Sequence, residues 1–324
     1  MNTIKVLPIT DPAITRPLWS VMIPTYNCSG YLKETIESVI MQDRGVENME
    51  IWVVDDCSTI NPEDMVKQLG KGRINFYRQE QNVGQLNNFN TCLNLACGKI
   101  IHLLHGDDFI HNGFYAKIES PLMADENIGA AFTGNNIVDT NSNVTLVSDL
   151  LSNEPGVLHN FLSLITRKQL IQTPSIVVKR EVYEKLGGFS RDLSWLEDWE
   201  MWIRIACHYK FYYEPATLAS YRLHRASNTE DSIQTGRFVK DALACIIVYS
   251  GYLNLPKKSK QEIINAAKQH YLNYSKTESR KRLSALILVR SFPLVYDFSS
   301  FISLIKEMAR ISIKAGIKKF NVFL

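Results

Sequence analysis

The stretch Glu50-Ile51-Trp52-Val53-Val54-Asp55-Asp56-Cys57-Ser58-Thr59 decides the fold. A short apolar run, Glu50–Val54, stops abruptly at two acidic residues, as expected of a buried strand followed by a polar turn. Two other apolar runs also end in polar segments. Trp19–Ile23 leads into a turn at Pro24–Gly30, and Ile100–Leu104 leads into His105-Gly106-Asp107-Asp108.

Short apolar runs alternate with helical patterns through the first half of the chain. The predicted strands are Trp19–Ile23, Glu50–Val54, Ile74–Tyr77, Ile100–Leu104 and Gly129–Thr133, and the predicted helices are Tyr31–Met41, 62–69, Gly84–Ala96 and Asn112–Met123. Strands that alternate with helices of this length indicate βαβ units. We therefore predict an α/β fold with a mainly parallel, Rossmann-like central sheet and helices on both faces.

The second half continues with strands and helices and then changes character. We predict strands at Ser175–Val178, Phe211–Tyr213 and Leu218–Leu223, and helices at Arg180–Leu186 and Leu196–Tyr209. Beyond Asp231 the pattern is helical and basic. The predicted organisation is an N-terminal extension (1–18), a body (19–230) and a C-terminal helical region (231–324).

Composition limits the class of protein. With 324 residues, 45% apolar and 21% charged, the chain can bury a full core. Residues 256–324 carry 14 Lys/Arg and 4 Asp/Glu, so the rest of the chain is acidic although the net charge is +3. No Cys-x-x-Cys pair is present among the six cysteines, which argues against structural zinc and for free thiols in a reducing cytosol. The N-terminal residues lack the apolar stretch of a signal peptide, and no run approaches the roughly 18 apolar residues of a membrane span.

Three acidic pairs follow predicted strands or begin a predicted helix: Asp55-Asp56, Asp107-Asp108 and Glu197-Asp198. The carboxyl ends of parallel strands meet at one edge of a sheet, where ligands bind in open α/β folds. Adjacent carboxylates repel each other unless a cation, a donor or solvent compensates them. Mg²⁺ and Mn²⁺ prefer such oxygen-rich sites and bridge carboxylates to substrate phosphates. Each pair taken alone is equally compatible with solvated loop acids.

Six segments together resemble the family 2 glycosyltransferases, which have the GT-A fold. They are, in chain order, Ser20–Asn27, Val53–Thr59, Asn82-Val83-Gly84, Leu104–Asp108, Trp195–Glu200 and Tyr221-Arg222-Leu223-His224. The similarity runs from Trp19 to Ser227. One position departs from it, because many members have Asp where this chain has His105. That histidine is as compatible with donor contact as with packing, whereas His102 is expected to be a buried, hydrogen-bonded residue.

The resemblance implies roles for individual residues. A nucleotide-sugar donor would be bound by Pro24, Tyr26, Asn27, Asp55, Asp56, Asn82, Gly84 and Gly106. Within that group, Asp56 would accept a hydrogen bond from the base, most naturally uracil, and Asp55 would support the turn. A divalent cation, Mn²⁺ or Mg²⁺, would be held by Asp107 and Asp108, with His224 as a further candidate.

The catalytic base implied by the resemblance is Asp198, which would take the proton from an acceptor hydroxyl. Glu197, Trp199, Arg222 and His105 would lie on the acceptor or diphosphate side. Residues two apart on a strand share a face, so Arg222 and His224 could clamp phosphates jointly or form a surface strand edge. Trp195, Trp199 and Trp202 fit one helix face, either as a sugar platform or as core.

The function implied is inverting transfer of a hexosyl or N-acetylhexosaminyl group from a nucleotide-diphosphate sugar, with UDP favoured. The acceptor would be a glycan or lipid-linked glycan of the bacterial cell surface. The basic tail is compatible with binding to the anionic inner face of the cytoplasmic membrane. It is also compatible with helices that simply pack on the body. Nucleic-acid binding is disfavoured, because no aromatic-basic motif accompanies the charge.

Two other classes of protein share some of these sequence features. A non-catalytic nucleotide-binding or regulatory module, such as a phosphoacceptor receiver domain, would explain Asp55-Asp56 but leave Asp107-Asp108 and Glu197-Asp198 without a role. A metal-dependent nucleotidyltransferase usually has a Gly-rich basic loop after its first strand, and Pro24–Gly30 contains no basic residue.

Overall fold

The central sheet is built around its first strand, Trp19–Thr25, whose seven residues are all buried. The computed structural model describes residues 2–11, 15–225, 227–282, 287 and 290–314. Within these residues the strands are β1 Trp19–Thr25, β2 Met49–Asp55, β3 Asn75–Arg78, β4 Ile100–Leu103, β5 Phe109–Ile110, β6 Ile128–Val138, β7 Val144–Val147, β8 Gly156–Val157, β9 Ile176–Lys179 and β10 Lys210–Arg222.

The strand order is β3-β2-β1-β4-β9-β6-β10-β5, with β7 paired to β6 and β8 to β10. Strands β3, β2, β1 and β4 are parallel, and β6 is parallel to β10. Only β9 interrupts this direction in the middle of the sheet, since it is antiparallel to both β4 and β6. The prediction of a mainly parallel sheet in an α/β fold is confirmed.

Helices cover the sheet and continue beyond it. They are α1 Ser29–Ile40, α2 Glu63–Gly70, α3 Gln85–Leu95, α4 Phe114–Ala124, α5 Phe161–Ile165, α6 Arg180–Leu186, α7 Glu197–Ala206, α8 Asn228–Thr235, α9 Arg237–Tyr252, α10 Lys257–Arg282 and α11 Phe298–Lys314. Two short 3₁₀ segments occur at Thr173–Ser175 and Phe292–Leu294.

Three local predictions differ from the structure. The two strands predicted at 211–213 and 218–223 form one strand, β10, whose register against β6 is irregular between Glu214 and Ala219. The segment 144–172, predicted as a loop with a short helix, also contains β7 and β8. Helix α7, Glu197–Ala206, is shorter than predicted, mainly at its carboxyl end.

His102 is a fully buried residue of β4, as predicted. Its Nδ1 lies 3.1 Å from the Tyr115 hydroxyl and its Nε2 lies 3.0 Å from the Pro174 carbonyl oxygen. Burial lowers the pKa of His102 to about 4, so the ring is neutral at physiological pH. This histidine belongs to the core and is not available as a ligand.

The chain divides into two compact units. The first contains the whole sheet and consists of residues up to Phe161, Leu170–Asp192 and Arg204–Leu223. The second gathers Leu162–Gln169, Leu193–Ile203 and the chain from His224 onward. This division differs from the predicted boundary at residue 230, because the segment carrying Glu197 and Asp198 packs with the C-terminal helices.

The C-terminal helices pack on one another within the second unit. Leu304, Met308 and Ile311 of α11 are buried, whereas Phe298 at its start is 77% exposed. Lys276 of α10 donates from its Nζ to the Ser303 hydroxyl of α11, at 2.8 Å. The apolar stripe of α11 is thus largely used for packing. Most of the predicted apolar run 283–289, and Lys318 and Lys319, lie outside the described residues.

No helix in the part of the chain that the structure describes is both long enough and apolar enough to cross a bilayer. The six cysteines are free thiols, and Cys28, Cys92 and Cys245 are buried. The prediction of free thiols is confirmed.

Gly98 lies where the loop before β4 touches the start of β1. A Cβ at this position would come within 2.6 Å of the Ser20 nitrogen and of the Trp19 carbonyl carbon, both of them backbone atoms. We expect Gly98→Ala to lower the free energy of unfolding by about 1–3 kcal/mol through overpacking, measured by thermal and urea unfolding. The matched control is Gly30→Ala in α1, where nothing lies within 4 Å of the added methyl group. Equal stability of the two variants would contradict this interpretation.

Candidate functional site

A cavity lies at the carboxyl ends of β1 and β2. It has a volume of about 240 Å³ and is lined by Thr25, Asn27, Ser29, Ser58, Thr59, Ile60 and Pro62. Tyr26, which immediately follows β1, is 51% exposed. The edge of the sheet that the sequence predicted to bind a ligand therefore carries a concave site with an accessible aromatic ring beside it in the chain.

The two turns that form this cavity are hydrogen-bonded to each other. The Asn27 backbone N–H donates to the Ser58 hydroxyl at 2.9 Å, and the Thr59 N–H donates to the Asn27 side-chain oxygen at 2.8 Å. Asn27 has φ 52° and Cys57 has φ 59°, a left-handed conformation that non-glycine residues seldom adopt. Such strain persists only where the surrounding contacts enforce it, and it is concentrated at ligand sites.

Asp55 stabilises the turn that follows β2. Its fully buried carboxylate accepts hydrogen bonds from the Ser58 N–H at 3.0 Å and from the Ser58 hydroxyl. Arg78 at the end of β3 forms an ion pair with the same carboxylate and donates to the Ser58 carbonyl. Asp55 therefore makes the turn-supporting contacts that the sequence predicted for it, with a cation from the neighbouring strand as compensation.

Asp56 fixes the loop that leads into α3. Its carboxylate accepts hydrogen bonds from the N–H groups of Val83 (2.8 Å) and Gly84 (3.0 Å) and from the Asn82 side-chain amide (3.0 Å). Only 2% of the residue is exposed, and burial raises the pKa of its carboxyl group. In this geometry both oxygens already have protein partners, so the predicted contact of Asp56 with a nucleobase stays a prediction.

At Gly106 the loop after β4 contacts the end of β1. Its N–H donates to the Pro24 carbonyl at 3.0 Å. A Cβ at Gly106 would lie 2.9 Å from both the Cys28 sulfur and the Thr25 hydroxyl oxygen, so only glycine allows this approach. The predicted donor-side residues Pro24 and Gly106 are thus joined directly, and the acidic pair that follows Gly106 starts from a fixed position.

Three side chains after β4 form a candidate cation site: His105, Asp107 and Asp108. One ligand atom from each of them lies within 4.8 Å of the others. The Nε2 of His105 and the Oδ2 of Asp108 are buried and, among the described residues, have no hydrogen-bond partner. Buried polar atoms without partners are costly, and a divalent cation bound by the acidic pair would satisfy the Asp108 oxygen. The residues present therefore fit Mn²⁺ or Mg²⁺.

The electrostatics of this cluster also indicate negative charge that the protein leaves uncompensated. Burial, and after it the negative charge of Asp107, raises the pKa of Asp108 well above its ordinary value. Burial lowers the pKa of His105, which favours the neutral imidazole that ligates metals. The His105 ring stacks on Phe89, with centroids 4.9 Å apart. His105 is thus packed, and it lies beside the acidic cluster. Its contact with the donor stays a prediction.

Arg222 differs from its predicted role in a diphosphate clamp. Only 1% of the residue is exposed, and its guanidinium donates to Glu34, Ser142 and the carbonyl oxygens of Asp107 and Asp139. Because every guanidinium nitrogen is used inside the first unit, the side chain is not available to a substrate phosphate. Strand β10 ends at Arg222, so strand periodicity does not relate it to His224. The proposed metal role of His224 stays a prediction.

The second unit presents the Glu197-Asp198 pair at the start of α7. The preceding residue, Leu196, has φ 64°, an unusual conformation for leucine. Asp198 is partly exposed, and its carboxylate accepts from the Gln169 side-chain amide (2.8 Å) and from the Trp199 N–H (2.7 Å). Glu197 is buried, and burial, followed by the charges of Asp198 and Asp241, raises the pKa of its carboxyl group. The two acids thus have different environments, and Asp198 is the accessible one.

Trp199 corrects the prediction of an aromatic platform beside the base. Its ring is fully buried between Tyr249 and Tyr271, with centroid distances of 5.5 and 5.4 Å, and its Nε1 donates to the Ile165 carbonyl. Trp202 is also buried, as the core interpretation predicted. Trp199 therefore stabilises the second unit and does not contact a sugar acceptor.

Comparison with known proteins decides the family. A family model described as glycosyl transferase family 2 matches residues 20–187. The chain belongs to this family. It is 29% identical over 217 residues to an uncharacterised glycosyltransferase of Methanocaldococcus jannaschii, an alignment covering 66% of this chain and 73% of the relative.

Two solved structures share the fold. S. aureus TarS 1–349 in complex with UDP-GlcNAc superposes with a TM-score of 0.69 at 15% identity, covering 94% of each chain. The mannosyltransferase PcManGT from Pyrobaculum calidifontis, in complex with GDP-Man and Mn²⁺, gives a TM-score of 0.61 at 20% identity, covering 97% of this chain and 90% of that one. The protein is a glycosyltransferase with the GT-A fold, and the recognition made from the six segments is confirmed.

Several residues of this site escaped sequence reasoning. Phe89, Glu34 and Gln169 contact predicted site residues from helices or loops that carry no motif. Glu34 occupies an ordinary position of an amphipathic helix, so its sequence neighbourhood gave no signal. Arg78, at the end of β3, could have been found, because a cation at that edge is the expected partner for a buried acid on the next strand.

Asp56→Asn should loosen the loop that Asp56 holds, because an amide supplies one acceptor oxygen and no negative charge. We expect the free energy of unfolding to fall by about 1–3 kcal/mol and the Val83 and Gly84 amides to exchange hydrogen faster. Unfolding and hydrogen-exchange measurements would check this. Asp64→Asn on exposed α2 is the control and should change neither quantity. Unaltered exchange at residues 83 and 84 in Asp56→Asn would contradict the role of this carboxylate.

Proposed function

We propose that this enzyme transfers a hexosyl or N-acetylhexosaminyl group from a UDP-sugar to an acceptor hydroxyl, with inversion at the anomeric carbon. The observation that carries the proposal is the His105–Asp107–Asp108 cluster, which follows β4 in a loop that Gly106 joins to β1. A candidate cation site and a cavity on the same sheet edge are the arrangement that activating a diphosphate donor requires.

The nucleotide would occupy the cavity between the β1 and β2 turns. Tyr26 offers an exposed ring for stacking, while Asn27 and Ser58 supply polar groups. TarS binds UDP-GlcNAc and PcManGT binds GDP-Man, so the fold accepts more than one nucleotide. We favour UDP because Asp56 follows β2 and accepts three hydrogen bonds, so its carboxylate can accept a further one from the N3–H of uracil.

A divalent cation would be held by Asp107 and Asp108, with His105 as the third ligand. Such a cation, when bound, neutralises the negative charge that develops on the departing nucleoside diphosphate. The contribution of the protein is to hold the ligands. Gly106 fixes the start of the loop, and one oxygen of Asp108 is already engaged by the Arg222 N–H.

Asp198 would act as the catalytic base. It would take the proton from the acceptor hydroxyl while the acceptor oxygen bonds to the anomeric carbon and the bond to the phosphate oxygen breaks. Attack from the face opposite the leaving group inverts that carbon. The hydrogen bonds from Gln169 and from the Trp199 N–H hold the carboxylate in a fixed orientation.

The acceptor we propose is a glycan or lipid-linked glycan of a bacterial cell surface. The basic C-terminal residues would favour an anionic membrane, where lipid-linked acceptors are presented. The described part of α11 supports this only through exposed cations such as Lys306 and Arg310, since the apolar stripe is largely packed.

Nucleotide titration tests the donor and the cation together. We expect calorimetry with UDP, GDP and dTDP to show preferred binding of UDP, tightened by Mn²⁺. Preference for GDP would overturn the choice of nucleotide alone. Absence of binding for all three nucleotides by folded protein would favour the alternative of a non-catalytic module with a degenerate site.

Asp198→Asn should abolish transfer, because the amide cannot accept the proton. We expect nucleotide affinity to stay within a few-fold of wild type, measured by the same calorimetry beside a turnover assay of nucleotide release. Asp231→Asn, at an exposed position of α8, is the matched control and should retain activity. A variant at 198 that keeps wild-type turnover would remove this residue from the base position.

Asp107→Asn should weaken the Mn²⁺-dependent part of nucleotide binding and leave the metal-free part unchanged. The physical reason is the loss of one anionic oxygen ligand. Titration of UDP with and without Mn²⁺ gives both parts, and Asp64→Asn serves as control. If Mn²⁺ strengthens UDP binding equally in wild type and Asp107→Asn, this aspartate does not ligate the cation.

A further inference from the structure

Arg222 is one of the largest fully buried side chains of the molecule, and its environment is unusual for a cation. The guanidinium carbon lies 4.6 Å from the centre of the Tyr31 ring and 5.4 Å from that of Phe109. Glu34, whose side chain is 42% exposed, supplies the only carboxylate with which it forms an ion pair in the described part of the chain. Burying an arginine is costly unless acceptors surround its donors. The acceptors around Arg222 therefore show which parts of the molecule it holds together.

The donors of Arg222 converge on the loop that carries the acidic pair. The side-chain Nε donates to the Asp107 carbonyl at 2.9 Å, and the backbone N–H donates to Asp108 Oδ1 at 2.8 Å. One residue thus holds two consecutive acids, one through its side chain and the other through its main chain. The contact with Asp108 leaves Oδ2 as the free oxygen, and Oδ2 lies 3.7 Å from His105 Nδ1.

The remaining guanidinium nitrogens tie this loop to two other elements. Nη1 donates to the Asp139 carbonyl (3.0 Å) and to the Ser142 hydroxyl (3.1 Å), both in the turn between β6 and β7. Nη2 donates to Glu34 of α1, which also accepts from the Ser142 hydroxyl. A planar fork with several fixed donor directions is needed to bridge these groups, and lysine does not provide one.

We propose that Arg222 is a positioning residue that directs the carboxylates of Asp107 and Asp108 toward the divalent cation. The inference rests on the proposed cation site. The sequence led us to expect that Arg222 contacts the diphosphate. The proposed role is instead to orient the cation ligands through hydrogen bonds. Substituting residues that hydrogen-bond to metal ligands typically weakens metal binding by about 10- to 100-fold.

The test is Mn²⁺ affinity of the full chain, measured by the electron paramagnetic resonance signal of free Mn²⁺ and without any nucleotide. Arg222→Lys keeps the charge and the main-chain contact with Asp108 but loses the fork. We expect its Kd for Mn²⁺ to rise by about tenfold or more. UDP affinity in the absence of metal should remain that of wild type, because the cavity is lined by other residues.

Arg180 provides the matched control. It is also 1% exposed, belongs to the same unit, and donates to the carbonyl oxygens of Leu93, Ala96 and Leu7. Arg180→Lys should lower the midpoint of thermal unfolding, as Arg222→Lys does, but leave the Kd for Mn²⁺ unchanged. This comparison separates positioning from a purely structural contribution, since only positioning affects the metal.

The outcomes are distinguishable. Wild-type protein that binds no Mn²⁺ would overturn the cation site and this inference with it. Wild-type binding with an unchanged Kd in Arg222→Lys would overturn the inference alone. Should Arg222→Lys fail to fold, Glu34→Ala removes one partner of the guanidinium from a half-exposed position. It should weaken Mn²⁺ binding in the same direction but by less, and an unchanged Kd would contradict the inference.

Discussion

The approach of the β4 loop to the end of β1 is the contact on which the rest of the site depends. It is made by Gly106, whose N–H bonds to Pro24 and whose missing side chain leaves room for Thr25 and Cys28. Everything downstream in that loop, including the acidic pair, starts from this fixed point. The same end of β1 carries the turn with Asn27, which is bonded to the turn after β2. One strand end therefore aligns the cavity and the candidate cation site.

Buried acids at this edge are stabilised in different ways, and the difference indicates function. Asp55 has a full cation, Arg78, and Asp56 has three N–H donors. Neither is left with an unsatisfied oxygen. Asp108 is different, because one oxygen has a donor and the other faces His105 without a hydrogen bond. Of these three acids, Asp108 alone keeps a buried oxygen without a hydrogen bond, and it does so at a position where a cation fits.

At the start of α7, in the second unit, one acid is partly exposed and its neighbour is buried. Leu196 adopts a left-handed backbone just before α7, and the Cys245 thiol donates to its carbonyl at 3.8 Å. After this turn, Glu197 is buried and Asp198 is partly exposed. The tryptophans around them serve packing: Trp199 lies between two tyrosines of the C-terminal helices. The acid pair is thus supported by chain that follows it by 50 residues or more.

The sequence by itself determined the class of fold, the positions of the first four strands, and the gathering of Asp55, Asp56, Asp107 and Asp108 at one sheet edge. It could do so because strand periodicity is local and because the carboxyl ends of parallel strands necessarily meet. It also determined the family, since six short segments in order carry more information than any one of them.

Only the tertiary structure decided what individual polar and aromatic side chains do. Arg222 turned away from any substrate because its partners, Glu34 and the turn at 139–142, lie 80 or more residues earlier in the chain. Trp199 is part of the core because α9, which begins at Arg237, covers its ring with Tyr249. Such choices depend on which distant groups satisfy a buried donor or fill a cavity. That is a property of packing in three dimensions, and no local pattern in the sequence encodes it.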